Sequence, residues 1–317
     1  MPRILLVKTS SLGDVVHNLP VASDITAALP EAEIDWVVEE SFAAIPRLHE
    51  AVNCVVPIAL RRWRSRWWQR DTGRELLAFF RALRRVGYDA VVDTQGLLKS
   101  ALITGLARGR GYGLDWKSSR EPLSLFYRRT FPVAWQQTAV ERNRALAAQA
   151  LRYTPRSNVR YGISAVAARF PWLAAERYAV LIHVTSARPK LWPEEHWIAL
   201  GRALAERGVT SVLPWGSSHE RERSERLSRS IAGSVVPPPL QLSDVAALLT
   251  QAQGAVGVDT GLTHLAGALR VPTVGIYTAT DPRRTGLYGC ERAINVAGSS
   301  ASPTVHDALY ALERLLR

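Results

Sequence analysis

Cysteine is scarce in this chain. Its 317 residues hold two, Cys54 and Cys290, far apart. Neither a disulfide framework nor a metal-binding spacing can be made from them, and such usage suits a reducing compartment. Long apolar runs are also missing. No stretch approaches the roughly 18 residues of a membrane span, and the apolar run after Pro2-Arg3 is too short for the core of a signal peptide. A soluble, cytoplasmic protein is expected. The first apolar run, RILLV, leads into VKTSSLGDVVHNLP at positions 7–20. That stretch has no second glycine at dinucleotide-binding spacing and no Gly-Lys-Ser/Thr phosphate loop. The chain has no Asp-x-Asp pair and no His/Cys cluster, so neither a metal nor a cofactor is expected.

What is abundant is positive charge. The net charge is +12, with 40 Lys and Arg against 28 Asp and Glu. Residues 1–160 carry 24 basic and 15 acidic side chains, so three quarters of the excess lies in the first half. Such a balance points to an anionic partner: nucleic acid, anionic lipid or a phosphorylated substrate. A hydrophobic share of 47% and a charged share of 21% describe a globular chain, and the length suggests two domains.

Short β-branched runs alternate with longer helical patterns. Strands are expected at 3–8, 33–38, 53–57, 90–94, 179–184, 210–214, 255–258 and 273–277. Helices are expected at 74–86, 140–151, 194–207, 219–231 and 245–251. This alternation predicts parallel sheets covered on both faces. A polar, interrupted segment at 155–171 reads as the connection between two Rossmann-like domains, 1–158 and 159–317, with the option that the C-terminal helix packs back on the first. In such sheets ligands bind beyond the carboxyl ends of the strands. The segments found there are KTSSLGD, DTQGLLKS, HVTSARPKLWP, PWGSSHE and GVDTGLTHLAGAL.

Each admits a chemical and a plain reading. In VDTGLTHLAGAL a strand ends at Asp259, Thr260-Gly261 turns, and a helix begins with His264 one turn in. The unpaired N–H groups of a helix start, with its dipole, suit an anion. Alternatively, Asp259 and Thr260 cap the helix. Thr185, Ser186, Arg188 and Lys190 place two hydroxyls and two cations after another strand, which suits a diphosphate; alternatively, Lys190 is an ordinary surface lysine. Glu220 can bind ribose hydroxyls or simply favour a helix dipole. The stretch ALRRWRSRWWQR (59–70) interleaves arginines with Trp63, Trp67 and Trp68. It suits phosphate and carboxylate groups, a membrane interface or RNA, or is a solvated helix face. Lys99 and Arg120 can extend the same basic wall. Asp14, at an expected helix start, is a first-turn acid or a general base within reach of an attacking hydroxyl.

Read in order, VKTSSLGDVVHNLP, DWVVEESFAAIP, RRWR, DTQGLLKSAL, DWKSSREPLS, KLWPEEHW, LPWGSSHERER and VDTGLTHLAGAL resemble the ADP-heptose:lipopolysaccharide heptosyltransferases over nearly the whole chain. The resemblance implies a GT-B fold, two Rossmann-like domains facing across a cleft. It implies inverting, metal-independent transfer of heptose from ADP-heptose to the inner Kdo of Kdo2–lipid A. The implied setting is the cytoplasmic face of the inner membrane, with peripheral attachment to an anionic surface, no nucleic acid, and a monomer.

Carried over residue by residue, the resemblance makes Asp14 the catalytic base. Thr185, Ser186 and Lys190 become phosphate contacts and Glu220 a ribose contact. Leu240 falls near the adenine, and Asp259, Thr260, Gly261 and His264 fall on the donor motif. Arg61, Arg62, Arg64, Lys99 and Arg120 fall on the acceptor side. Ser186 stands where relatives often have a second threonine, Leu240 where they often have methionine, and Ser65 where they can have lysine. A relative acting on a later core sugar, a non-catalytic nucleotide-sugar binder and an RNA-binding module remain as alternatives.

Overall fold

The computed structural model describes residues 1–298 and 302–317. The chain forms two compact units, Met1–Ser164 and Ala165–Arg317.

The first unit holds β1 (Arg3–Val7), β2 (Glu33–Glu39), β3 (Val52–Ile58), β4 (Tyr88–Asp93), β5 (Gly109–Leu114) and β6 (Arg129–Phe131). All pair in parallel, in the order 3-2-1-4-5-6. β1 is central, with Val7 opposite Val37 on one side and Asp93 on the other. Its near-continuous apolar run follows from helices covering both faces. On one face Leu5, Val7, Val37 and Val91 pack with Phe79 and Leu83 of the helix Arg70–Leu83 and Ile103 of the helix Leu98–Leu106.

Helix Leu19–Ala28 lies against helix Ala139–Leu151. A buried ion pair joins them. Arg144 Nε donates to Asp24 Oδ2 at 2.6 Å and an Arg144 terminal nitrogen to Oδ1 at 3.0 Å, with both side chains more than nine-tenths buried.

The second unit holds β7 (Tyr178–Ile182), β8 (Thr210–Val212), β9 (Gly254–Val258), β10 (Thr273–Tyr277) and β11 (Ala293–Ala297). These too are all parallel, in the order 11-10-9-7-8. Trp192, Trp197, Leu200 and Leu227 fill its core together with Ala308, Ala311 and Leu312 of the C-terminal helix Val305–Leu316, which therefore packs within this unit.

Eight strands and five helices lie where the hydrophobic pattern puts them, with shifts at the ends. The chain leaves the sheet at Val7, Asp93, Ile182 and Val212, one or two residues before the expected limits. Helix Arg70–Leu83 begins four residues before, and ends three before, its expected span.

Strands β5, β6 and β11 were not expected. β5 reads GRGYGL, poor in strand-forming side chains. Its glycines serve close approach: a Cβ on Gly113 would run into the Tyr127 ring, which crosses there to donate its hydroxyl to Asp93 Oδ2 at 2.8 Å. No helix among the described residues is long and apolar enough to cross a membrane.

Asp24→Ala should lower the stability of the first unit by about 3–5 kcal/mol, because it removes the carboxylate from a buried ion pair. Denaturant unfolding of wild type and variant measures this, and a loss below 1 kcal/mol would show the pair to be dispensable.

Candidate active site

A doubly wound sheet opens a crevice where its strand order reverses. In the first unit the reversal lies between β1 and β4, and their trailing loops are tied together. Lys8 is 5% exposed, and its ammonium donates to Thr94 O at 2.8 Å and Asn143 Oδ1 at 3.4 Å. Gln95 Oε1 accepts from Thr9 N at 3.0 Å and Ser10 N at 3.1 Å. Lys99 Nζ donates to Ser10 Oγ at 2.7 Å.

Asp14 follows on the short helix Leu12–Val16, which begins at this crevice. Asp14 Oδ2 accepts from Ser11 N at 2.7 Å and from Ser11 Oγ at 2.9 Å, so the first-turn reading is correct. It does not exhaust the carboxylate. Burial pushes the Asp14 carboxyl up, but the Lys8 charge and the Ser11 donors outweigh it and hold it below its ordinary value. Burial in turn pushes the Lys8 ammonium down, against the attraction of Asp14 and Asp93 and with added repulsion from Arg142 and Arg120. Asp14, Lys8 and Arg120 thus share one electrostatic neighbourhood, and Lys99 reaches the same crevice through Ser10.

The arginine–tryptophan stretch divides by role. Trp63 is buried in the core, and its Nε1 donates to Glu75 Oε2 at 2.6 Å. Arg62 is held between Glu40 and Glu75, at 2.9 and 2.7 Å. Arg61 N donates to Glu39 Oε1, and Glu39 N donates to Thr9 O, which links Arg61 to the crevice. The Arg61 guanidinium lies over Phe42. Arg64 is exposed, and Trp67 and Trp68 stand edge-to-face at the surface.

In the second unit the reversal lies between β7 and β9, and Asp259 is its hub. Asp259 Oδ2 takes the Lys190 ammonium at 2.8 Å and the Thr280 hydroxyl at 2.7 Å, while Oδ1 faces His264 Nε2 at 3.4 Å. Thr185 Oγ1 donates to the Asp259 carbonyl at 3.4 Å. Burial opposes ionisation of Asp259, but His264, Lys190 and Thr280 overcome it and hold the carboxyl far below the usual range. Asp259 is therefore a fixed charge rather than a proton carrier at ordinary pH.

The capping alternative fails for this pair. The Asp259 carboxylate is spent on Lys190 and Thr280, and Thr260, the N-cap of helix Gly261–Ala268, makes no side-chain cap bond. It holds for Glu220, whose Oε2 accepts from Gly216 N at 2.7 Å and Ser217 N at 3.1 Å. Ser186 is exposed in the loop before Lys190, and Leu240 is half-buried before helix Leu242–Gln251.

Sequence reasoning missed Gln95, Asn143 and Thr280. Gln95 lies in a strand-end segment already singled out, and Thr280 follows β10, so the strand-end rule alone points to both. Asn143 lies mid-helix and carried no signal. Among the described residues no group of three or more His, Cys, Asp or Glu is arranged to hold a metal ion.

Two doubly wound units, one with a cation, hydroxyls and a helix start at its crevice, are the architecture of a GT-B glycosyltransferase. Residues 76–311 match the family model "Glycosyltransferase family 9 (heptosyltransferase)". Lipopolysaccharide heptosyltransferase 1 of Escherichia coli strain K12 is 48% identical over 291 residues, 90% of this chain and 91% of that protein. The Pseudomonas aeruginosa protein of the same name is 49% identical over 292 residues, 90% and 81% of the two chains. The solved structure of E. coli heptosyltransferase WaaC with ADP superposes at a TM-score of 0.90, with 43% identity over 99% of each chain. A second WaaC structure, with ADP-2-deoxy-2-fluoro heptose, gives 0.86 over 98% of this chain and 99% of that one, also at 43% identity. This chain belongs to glycosyltransferase family 9, the heptosyltransferases.

Lys8→Gln should raise the Asp14 pKa, since the nearby cation favours the carboxylate. Carboxylate carbon NMR titration of wild type and variant reads it directly. An unmoved titration would show that Lys8 does not set the Asp14 charge.

Proposed function

We propose that the protein transfers L-glycero-D-manno-heptose from ADP-heptose to the inner Kdo of Kdo2–lipid A, a step in building the lipopolysaccharide inner core. The observation that carries this reading is the Asp259 hub, which gathers Lys190 and Thr185 beside the helix start at Gly261, a set of groups that suits a diphosphate. The donor analogue held by the E. coli relative supports the same choice of donor.

The chemistry follows from the groups present. Asp14, ionised and partly buried, takes the proton of the acceptor hydroxyl. The acceptor oxygen bonds to the anomeric carbon as the bond from that carbon to the diphosphate oxygen breaks. Attack opposite the leaving group inverts the anomeric centre, ADP departs with the bonding electrons, and Asp14 passes its proton to solvent. Lys190 has three N–H donors, so it can keep Asp259 and still donate to a phosphate oxygen. With Thr185, Ser186, Thr260 and the N–H groups at the start of helix Gly261–Ala268, it stabilises the charge on leaving ADP without a metal. Asp259 keeps the ammonium aimed. Glu220 retains Oε1 for a ribose hydroxyl, and Leu240 offers an apolar surface to the adenine. Arg61, Arg64, Lys99 and Arg120 meet the phosphates and carboxylates of the acceptor, and Arg62 holds that segment to Glu40 and Glu75.

Three measurements test this. ADP release should require both ADP-heptose and Kdo2–lipid A and should persist in EDTA; release abolished by EDTA would refute the metal-free route. Asp14→Asn should abolish most turnover while leaving ADP-heptose affinity within about twofold, and near wild-type turnover would remove Asp14 from the mechanism. Lys190→Ala should weaken ADP-heptose binding about 10- to 100-fold by calorimetry, the worth of a charge-assisted hydrogen bond. Unchanged affinity would place the diphosphate elsewhere.

A further inference from the structure

Helix Leu98–Leu106 turns the wrong residues to solvent. Ala101, Ile103 and Thr104 are buried, as expected of its inner face. Its outer face carries Leu98, Leu102 and Leu106, exposed by 49%, 45% and 40%, with Gly105 beside them. The spacing i, i+4, i+8 makes one continuous apolar stripe, where a surface helix normally places charge. The 3-10 turn Ser124–Phe126 packs against this helix through Phe126, which joins Ala101, Leu123 and Tyr127, and it raises Leu125 to 97% exposure. An exposed apolar stripe of this kind, with Leu125 on a turn packed against the same helix, marks an interaction surface.

Its setting selects the partner. From Leu98 through Arg129 the chain has seven Lys and Arg and two acids, Asp115 and Glu121. Glu121 is occupied, accepting from Leu98 N at 2.6 Å. Arg84 reaches Leu106 O at 3.5 Å, at the far end of the stripe. Arg108 follows two residues after Leu106, and Arg128 follows the turn that bears Leu125; both are exposed. A leucine stripe rimmed by arginines complements a bilayer whose surface is anionic and whose interior is apolar. The same helix brings Lys99 to Ser10 at the Asp14 crevice.

We infer that Leu98, Leu102, Leu106 and Leu125, with Arg84, Arg108 and Arg128 around them, form the face that docks this protein on an anionic lipid bilayer. The inference rests on the proposed function, in which the acceptor sugar is anchored in lipid. Docking through this helix holds the acceptor crevice at the headgroup layer, so that the sugar reaches it while the acyl chains stay in the membrane.

The test compares wild type with Leu102→Glu/Leu106→Glu and, separately, Leu125→Glu, a site too exposed to affect folding. Co-sedimentation uses vesicles of phosphatidylcholine alone and of phosphatidylcholine mixed with phosphatidylglycerol. Wild type should bind the anionic vesicles, less tightly as salt rises, and each leucine lost should weaken binding about tenfold. KM for Kdo2–lipid A in vesicles should rise, while kcat and KM for the deacylated, water-soluble acceptor stay unchanged. Variants that bind anionic vesicles as wild type does, yet turn over the soluble acceptor normally, would overturn the docking face alone. Wild type inactive on both acceptors would overturn the transferase reading instead. Sedimentation showing a wild-type dimer that the substitutions dissociate, with vesicle binding unchanged, would reassign the face to self-association and overturn the inference.

Discussion

Both candidate sites in this chain depend on where two parallel sheets reverse their strand order. At a reversal the connections after two adjacent central strands leave in opposite directions, and no chain covers the gap between them. The gap exposes strand-end backbone and needs donors and acceptors of its own. In both units a lysine closes it. Lys8 crosses from the end of β1 to Thr94 beyond β4, and Lys190 crosses from beyond β7 to Asp259 at the end of β9. Parallel order forces these residues together, and the rest of each site is arranged around the ammonium.

The two lysines differ in what they can still do. Lys8 is nearly sealed, so its charge acts through space and favours an ionised Asp14. The Lys190 side chain keeps 28% of its surface in solvent and retains donors for an incoming anion. One shapes the acid–base character of a carboxylate, and the other remains available as a ligand. Asp259 shows the same economy: a buried carboxylate stays charged because a cation, a hydroxyl and an imidazole meet it, and it then serves as a fixed anchor.

Much of the fold was legible because central strands of parallel sheets are buried on both faces and read as apolar runs. RILLV and AVGV needed nothing more. β5 was illegible because its glycines answer to contacts from outside the strand, Gly109 to Tyr88, Gly111 to the Thr104 side chain and Gly113 to the Tyr127 ring. The short edge strands β6 and β11 bury only part of their surface and leave a weak pattern. In the site, Asp14, Lys190 and Asp259 stood out as charged residues at strand ends. The arginine cluster could not be sorted by sequence, since whether a guanidinium is free or paired depends on acids such as Glu40 and Glu75 elsewhere in the chain.

The sequence by itself determined the alternation of strand and helix, the polar glycine-bearing segments at the strand ends, the basic first half and the family to which these motifs belong. These are local properties of composition and period, and a chain displays them before it folds. Tertiary structure decided which segments meet. Lys8 and Thr94 lie 86 residues apart, and Thr185 and Asp259 lie 74 apart. Nothing in either segment names its partner. Strand order alone makes them neighbours, because it is set by packing among all the helices and strands of a unit at once.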